Sequence, residues 1–365
     1  MIYELKDICT PLKGTQIDTS LLSDKNPYKY INGGTKESGY HIEANTLGNT
    51  VIVSEGGASC GYVNFIDTDF WCGCHCYKLT EPKVNAKYLY YALKANQDKI
   101  MELRTGAAMP NIKKSTFIRF KLDIINDEKL QKTIVSELDK IQDALANKNE
   151  QLKKLDELIQ SKFYEMFGDP MENNMCWGTK TYGEIFDLFA GGTPSKSKSE
   201  YWENGNISWI GSNLCQDSIL YKNDGKYITE LGLARSSAKL FPKGTVLIAL
   251  VGATIGKTAM LRFETTTNQN VLGVLKIEEA GYHPIFVFYY TQGLRKYFLN
   301  IGDGGFAMAS KTFVSNLPIF DIDKTLQQAF ANYVEKVEEA KVIVNQEIAH
   351  LQELLDSRMD FYFRK

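Results

Sequence analysis

Residues 50–61 read TVIVSEGGASCG and residues 245–256 read TVLIALVGATIG. Thr50, Val51, Gly57, Ala58 and Gly61 recur 195 positions later as Thr245, Val246, Gly252, Ala253 and Gly256. A chain that repeats itself over such a distance builds one kind of unit twice. The match continues at an offset of 196: Leu130-Gln131 returns as Leu326-Gln327, Asn149 as Asn345, Glu157-Leu158 as Glu353-Leu354 and Phe167 as Phe363. Gly106 matches Gly302, and Thr116-Phe117 matches Thr312-Phe313. Near the starts of the halves, Gly14-Thr15 matches Gly192-Thr193 at an offset of 178, which leaves about 17 extra residues between Thr193 and Thr245.

The second copy ends in Gly256-Lys257-Thr258, which invites a phosphate-loop reading. That loop needs four residues between its first glycine and Gly-Lys-Thr, so that successive N–H groups wrap phosphate. Gly252 and Gly256 enclose only three, and the first copy continues as Gly61-Tyr62-Val63 without lysine. The pattern reads instead as strand, Gly-Ala turn, strand, used twice.

Two stretches carry a seam of a 3.5-residue period. In the first, Ile134, Leu138, Ile141, Leu145, Leu152, Leu155 and Ile159 step by four and three, broken at Lys148. In the second, Phe330, Val334, Val337, Val344, Ile348, Leu351 and Leu355 do the same, broken at Lys341. Each spans roughly 40 residues, or about 60 Å as a helix. Gly168 and Pro170 stop the first. The expected pairing is of the two helices with each other, antiparallel; pairing with a partner protein is the alternative. The divisions expected are a domain over 1–125, a helix over 126–170, a domain over 171–320 and a helix over 321–365. The fold class is α/β: two mixed α/β domains in tandem, separated by two long helices in a coiled coil.

Hydrophobic residues make up 44% and charged ones 24%, enough for a buried core. The net charge of −2 divides as +2, −3, +2 and −3 over those four segments. Neither globular block is basic enough to hold nucleic acid by charge alone. No run of 18 apolar residues occurs, and the start, MIYELKDICT, lacks a signal-peptide layout. A cytoplasmic chain without membrane attachment is expected, its seven cysteines reduced.

Cys72, Cys74, His75 and Cys76 form a dense donor cluster. Structural zinc usually takes two separated pairs, whereas alternation along a strand would set these three thiols side by side. No metal is expected; a buried strand with small thiols is the favoured reading. No Gly-x-Gly-x-x-Gly and no Asp/Asn-Pro-Pro-aromatic motif is present. Asp67 or Asp69 with Glu81 and Lys83 would need a strand that Pro82 breaks.

Two dissimilar mixed domains, each followed by a similar long helix, resemble the specificity subunit of type I restriction–modification systems. The tail SKFYEMFGDP, the paired Gly-Thr openings, the Gly-Ala-x-x-Gly turns and the Leu-Gln helix starts carry the resemblance over essentially the whole chain. It implies a non-catalytic reader of double-stranded DNA, with one target-recognition domain per half of a split asymmetric target. It also implies two methyltransferase subunits docked on the helices and restriction/translocase subunits beyond them. S-adenosylmethionine, ATP and Mg would then belong to those partners, with no cofactor in this subunit. A coiled-coil adaptor whose halves bind proteins is the alternative. Both halves' loops read as polar, which favours DNA.

Base readout needs Arg, Lys, Asn, Gln, Ser or Thr at groove edges. The candidates in the first half are Lys13, Thr15, Gln16, Asn32, Lys36, Ser59, Arg104, Lys113 and Lys114. Those in the second are Thr193, Ser195, Lys196, Lys198, Ser212, Asn213, Lys257, Asn268, Gln269, Asn270 and Lys311. The run Thr265–Asn270, TTTNQN, is the foremost, read as a polar loop before a strand.

Overall fold

The computed structural model describes residues 1–106, 108–301 and 308–364; Gly302 of the repeat lies outside them. The chain divides into two units, Met1–Glu150 with Val344–Lys365, and Gln151–Ile343.

In the first unit, β1 (Thr10–Lys13), β4 (Thr50–Ser54), β5 (Val63–Ile66) and β7 (Cys76–Thr80) form an antiparallel sheet of order β1-β7-β4-β5. A smaller sheet of order β3-β2-β6 joins β2 (Tyr28–Ile31), β3 (Gly39–His41) and β6 (Phe70–Cys72), with β2 and β6 parallel. Helix α1 (Ala86–Ala95) packs its buried face, Tyr88, Leu89, Tyr91, Ala92 and Leu93, against this framework.

The second unit repeats the plan. Strands β8 (Asp187–Ala190), β11 (Val246–Ala249), β12 (Thr258–Leu261) and β14 (Val271–Leu275) take the order β8-β14-β11-β12. The registers coincide: Val51 faces Leu79 as Val246 faces Val274. β9 (Ile207–Ile210) runs parallel to β13 (Thr265–Thr267), as β2 does to β6. The inserted residues add a further edge strand, β10 (Ser218–Leu220), parallel to β12. Helix α3 (Pro284–Gly293) occupies the place of α1.

The long helices are α2 (Glu128–Phe167) and α4 (Lys324–Phe363). Asp127 Oδ1 accepts the N–H groups of Lys129 and Leu130, and Asp323 Oδ1 accepts that of Thr325, satisfying orphan donors of the first turns. The repeated Leu-Gln has a physical cause. Gln131 is buried; its Oε1 accepts Asn85 N–H at 2.9 Å and its Nε2 donates to Ile125 O at 2.7 Å. Gln327, also buried, does the same with His283 N–H and Ile322 O, both at 2.8 Å. Each glutamine thereby ties the start of a long helix to the cap of α1 or α3.

Pairing of the helices is visible within each unit. In the first, Glu137 of α2 accepts from Tyr362 Oη at 2.6 Å and Arg358 Nε at 2.9 Å, and Lys148 meets Glu347 at 2.7 Å. Numbers rise along α2 as they fall along α4, so the pair is antiparallel. In the second, Lys341 meets Asp156 at 2.7 Å, and the Phe163 and Phe330 rings lie 5.4 Å apart. The two lysines that interrupt the seams are thus tied by ion pairs. Of the seam residues, Ile134, Leu138, Ile141, Ile159, Phe330, Val334, Val337 and Val344 are buried, while Leu145, Leu152, Leu155, Ile348, Leu351 and Leu355 are half-buried. Gly168, at φ +78°, ends α2 by donating its N–H to Tyr164 O.

Each core closes on the tail of a helix that starts in the other unit. Phe167 lies in the second core among Phe163, Phe286 and Phe330. Its repeat mate Phe363 lies in the first core, 5.2 Å from the Tyr88 ring. Asn96 Nδ2 donates to Phe363 O at 3.3 Å and Arg364 Nε to Ala95 O at 2.6 Å, fixing that tail.

Two outcomes are expected in chemical denaturation. Phe363→Ala loses about 3–5 kcal/mol, the ordinary cost of emptying a buried phenylalanine site. Gln131→Ala and Gln327→Ala each lose about 1–3 kcal/mol, because each leaves a half-buried N–H and a carbonyl without their partner.

Candidate nucleic-acid interface

At one end of the strands in the first unit, five segments converge. Gly14 donates to Cys76 O at 3.0 Å and Thr15 to Cys72 O at 2.9 Å. Gly73 donates to Ile31 O at 2.8 Å and Glu55 to His75 O at 2.7 Å. Gly57 donates to Pro110 O at 3.0 Å, and Ile112 to Glu55 O at 2.8 Å, which seats the Gly-Ala turn on the loop before Ile112.

The second unit builds the same frame. Gly191 donates to Val271 O, Gly192 to Thr267 O, Asn268 to Ile210 O, Leu250 to Asn270 O and Ala309 to Leu250 O. These bonds correct the register read from sequence. Gly14 corresponds to Gly191, not Gly192, and Gln16 to Thr193. The Gly-Thr identity misled because the required feature is a glycine one place earlier: a Cβ on Gly14 would sit 2.2 Å from Gly73 O, and one on Gly191 2.0 Å from Thr267 Oγ1.

On this shared frame the side chains differ. Cys74 Sγ donates to Gln16 Oε1 at 2.6 Å in the first unit; Thr193 Oγ1 donates to Gln269 Oε1 at 2.6 Å in the second. His75 occupies the place of Asn270, and Glu55 that of Leu250. Both Gly-Ala turns project outward: Gly57 (φ +77°) and Gly252 (φ +69°) are exposed, with open space where a Cβ would go.

Lys13, Asn32 and Ser59 line one cleft of about 580 Å3 in the first unit, with Glu55, His75 and Asn111. Lys13 Nζ lies 2.9 Å from Glu55 Oε1, and His75 Nδ1 3.9 Å from Glu55 Oε2. Asn32 Oδ1 accepts His75 N–H at 3.1 Å. Gln16 and Thr15 flank the Cys74 turn, the Thr15 carbonyl accepting Trp71 Nε1–H at 3.1 Å. Lys36 is exposed in the turn after Gly34. Arg104, exposed, donates from Nε to Met101 O at 2.6 Å, and Lys113 and Lys114 are exposed at the start of a short helix.

In the second unit, Thr193, Asn268, Gln269 and Asn270 belong to the frame, and Ser212 and Asn213 follow Gly211 at the end of β9. Ser195 shares a hydroxyl hydrogen bond with Ser197 at 2.8 Å; Lys196 is exposed, and Lys198 Nζ donates to Tyr201 Oη at 3.1 Å. Lys311 Nζ lies 5.4 Å from the Phe189 ring centroid. Lys257 is engaged by Gln216, and residues 258–261 form β12, so the Gly-Lys-Thr leads into a strand and not into a helix.

Three readings change. Thr265–Thr267 is not a loop but strand β13, fully buried, with Thr266 Oγ1 donating to Ser208 O at 2.9 Å and Thr265 Oγ1 paired with Ser208 Oγ at 2.7 Å. β-Branched threonines whose hydroxyls find partners suit a buried strand; only Asn268–Asn270 of that run is turn. Cys72 and Cys76 sit on two strands joined by a turn, not one continuous strand. Their hydrogen bond and burial hold the Cys76 thiol well above its ordinary range, so it stays protonated. Among the described residues no group of three or more His, Cys, Asp and Glu is placed to hold a metal. Finally, the loops are not wholly polar: Ile42, Leu47 and Met109 are exposed.

A family model for the type I restriction modification DNA specificity domain matches residues 1–157 and 174–353. The chain belongs to the type I specificity-subunit family. A putative type I specificity subunit of Mycoplasma pneumoniae is 29% identical over 237 residues, 62% of this chain and 61% of that protein. A type I restriction enzyme specificity subunit of Escherichia coli is 28% identical over 243 residues, 64% of this chain and 58% of that one. The matches thus span less than two thirds of these relatives. The solved type I restriction–modification S subunit of M. genitalium shares the fold, with a TM-score of 0.61 at 22% identity, over 100% of this chain and 96% of that one. No helix among the described residues is long and apolar enough to cross a membrane.

Glu55 and His75 line the same cleft but were not legible as candidates in the sequence. A carboxylate is an unnatural choice opposite a polyanion, and His75 was absorbed by the metal reading of its neighbours. The only signal was positional, Glu55 falling opposite Leu250 in the repeat.

The two glycine classes should behave differently in denaturation. Gly14→Ala forces Cβ onto backbone oxygen and costs at least about 2 kcal/mol. Gly57→Ala meets only left-handed strain and costs about 1 kcal/mol.

Proposed function

We propose that this chain is the non-catalytic DNA-reading subunit of a type I restriction–modification complex. The observation that carries the reading is one backbone frame built twice with different residues on it: Gln16, Asn32, Glu55 and His75 on one copy, Thr193, Gly211, Leu250 and Asn270 on the other. Identical frames present their loops to duplex DNA in the same way, and different side chains select different bases. A split, asymmetric target with one half per unit follows. Lys36, Lys113, Lys114 and Lys196 are exposed and suited to phosphate contacts, which position without specifying.

Two methyltransferase subunits would dock on the long helices. Leu158 and Leu354, equivalent in the repeat, stay exposed at 48% and 37% and offer each such subunit the same anchor. Restriction/translocase subunits would join through them. S-adenosylmethionine, ATP and Mg would be held by these partners, and the reaction would take place there, in the cytoplasm.

The test is genome-wide adenine methylation in cells carrying a cognate methyltransferase subunit, with and without this chain. A split motif that appears only with the chain is the expected result. An unchanged methylome with an assembled complex would overturn it, and the exposed Ile42, Leu47 and Met109 would then favour a protein-binding adaptor.

A further inference from the structure

Glu55 is held at both ends of its peptide unit. Its N–H donates to His75 O, and its carbonyl accepts Ile112 N–H and the Cys60 thiol. Its side chain, 16% exposed, lies in the cleft between Lys13 and His75, both more than half exposed. The second unit makes the same two backbone bonds with Leu250, whose side chain is buried. The frame therefore accepts an apolar side chain here and has no need of a carboxylate.

A carboxylate on a DNA-facing surface repels phosphate, so it has no place as a backbone contact. Paired with Lys13, it presents little net charge while keeping acceptor lone pairs. An ionised carboxylate only accepts hydrogen bonds. On major-groove edges the only donors are the exocyclic amino groups of cytosine and adenine. Resting on the DNA-reading proposal, we infer that Glu55 is a specificity residue: it selects an exocyclic amino group, cytosine N4 or adenine N6, at one position of the half-site read by the first unit. Lys13 and His75 position its carboxylate. Asn32 and Ser59, on the same cleft wall, are placed to meet neighbouring base edges.

The experiment selects a randomised DNA duplex pool on the full chain assembled with its methyltransferase subunits, followed by sequencing. Wild type, Glu55→Gln and Glu55→Leu are compared, with thermal melting to verify folding. Leucine is the residue the second copy of the frame already holds. Wild type should require one particular base pair at one position of one half-site, and its identity and orientation show whether a cytosine or an adenine amino group is taken and on which strand. Both variants should lose about tenfold or more of the discrimination there, with the other half-site and the spacer unchanged. Pools identical to wild type from a folded variant would overturn the assignment and leave Glu55 as a tether for Lys13. Uniform loss of binding at both half-sites would also overturn it, as a structural effect. A wild-type complex that selects no sequence would sink the DNA reading itself, and this assignment with it.

Discussion

Neither core is completed by the stretch of chain that builds its sheets. The first unit's apolar interior closes on Met359 and Phe363 from the tail of α4, and the second closes on Ile159, Phe163 and Phe167 from the tail of α2. Each long helix therefore starts in one core, tied by its buried glutamine, and ends in the other, plugged by a phenylalanine. A buried aromatic contributes several kcal/mol that neither unit recovers without the helix from the other half. Within the first unit the two helices pair antiparallel, through Glu137 with Arg358 and Tyr362 and Lys148 with Glu347.

This arrangement separates two tasks that a single surface would confuse. The helices share their anchoring residues at both ends, Gln131 with Gln327 and Phe167 with Phe363. The loops at the strand ends hang on matched backbone bonds but carry unmatched side chains. Backbone bonds constrain where a loop lies and not what it bears, so Glu55 and Leu250 share a position without sharing chemistry. Loops on a rigid scaffold are free to differ in this way.

Much was legible in the chain itself. The doubled Gly-Ala turn, the two seams and the stop at Gly168 depend on residues near one another in sequence, where periodicity and turn chemistry act directly. The family resemblance rested on the same features. Of the candidate readers, Lys13, Gln16, Asn32 and Ser59 gather about the first frame, and Thr193 with Asn268–Asn270 about the second. Others, such as Lys257 with Gln216 and Lys198 with Tyr201, are engaged locally.

The sequence by itself determined that one unit is built twice, that two 40-residue helices follow the two copies, and which positions face their seams. Those properties are written in spacing, and spacing survives without knowledge of distant neighbours. Only the tertiary structure decided that Gly14 matches Gly191, that Thr265–Thr267 is buried strand, and that Glu55 sits between Lys13 and His75. Each of these depends on which atoms, far apart along the chain, come within hydrogen-bond reach. A shift of one residue changes that set completely while leaving composition and local pattern almost untouched.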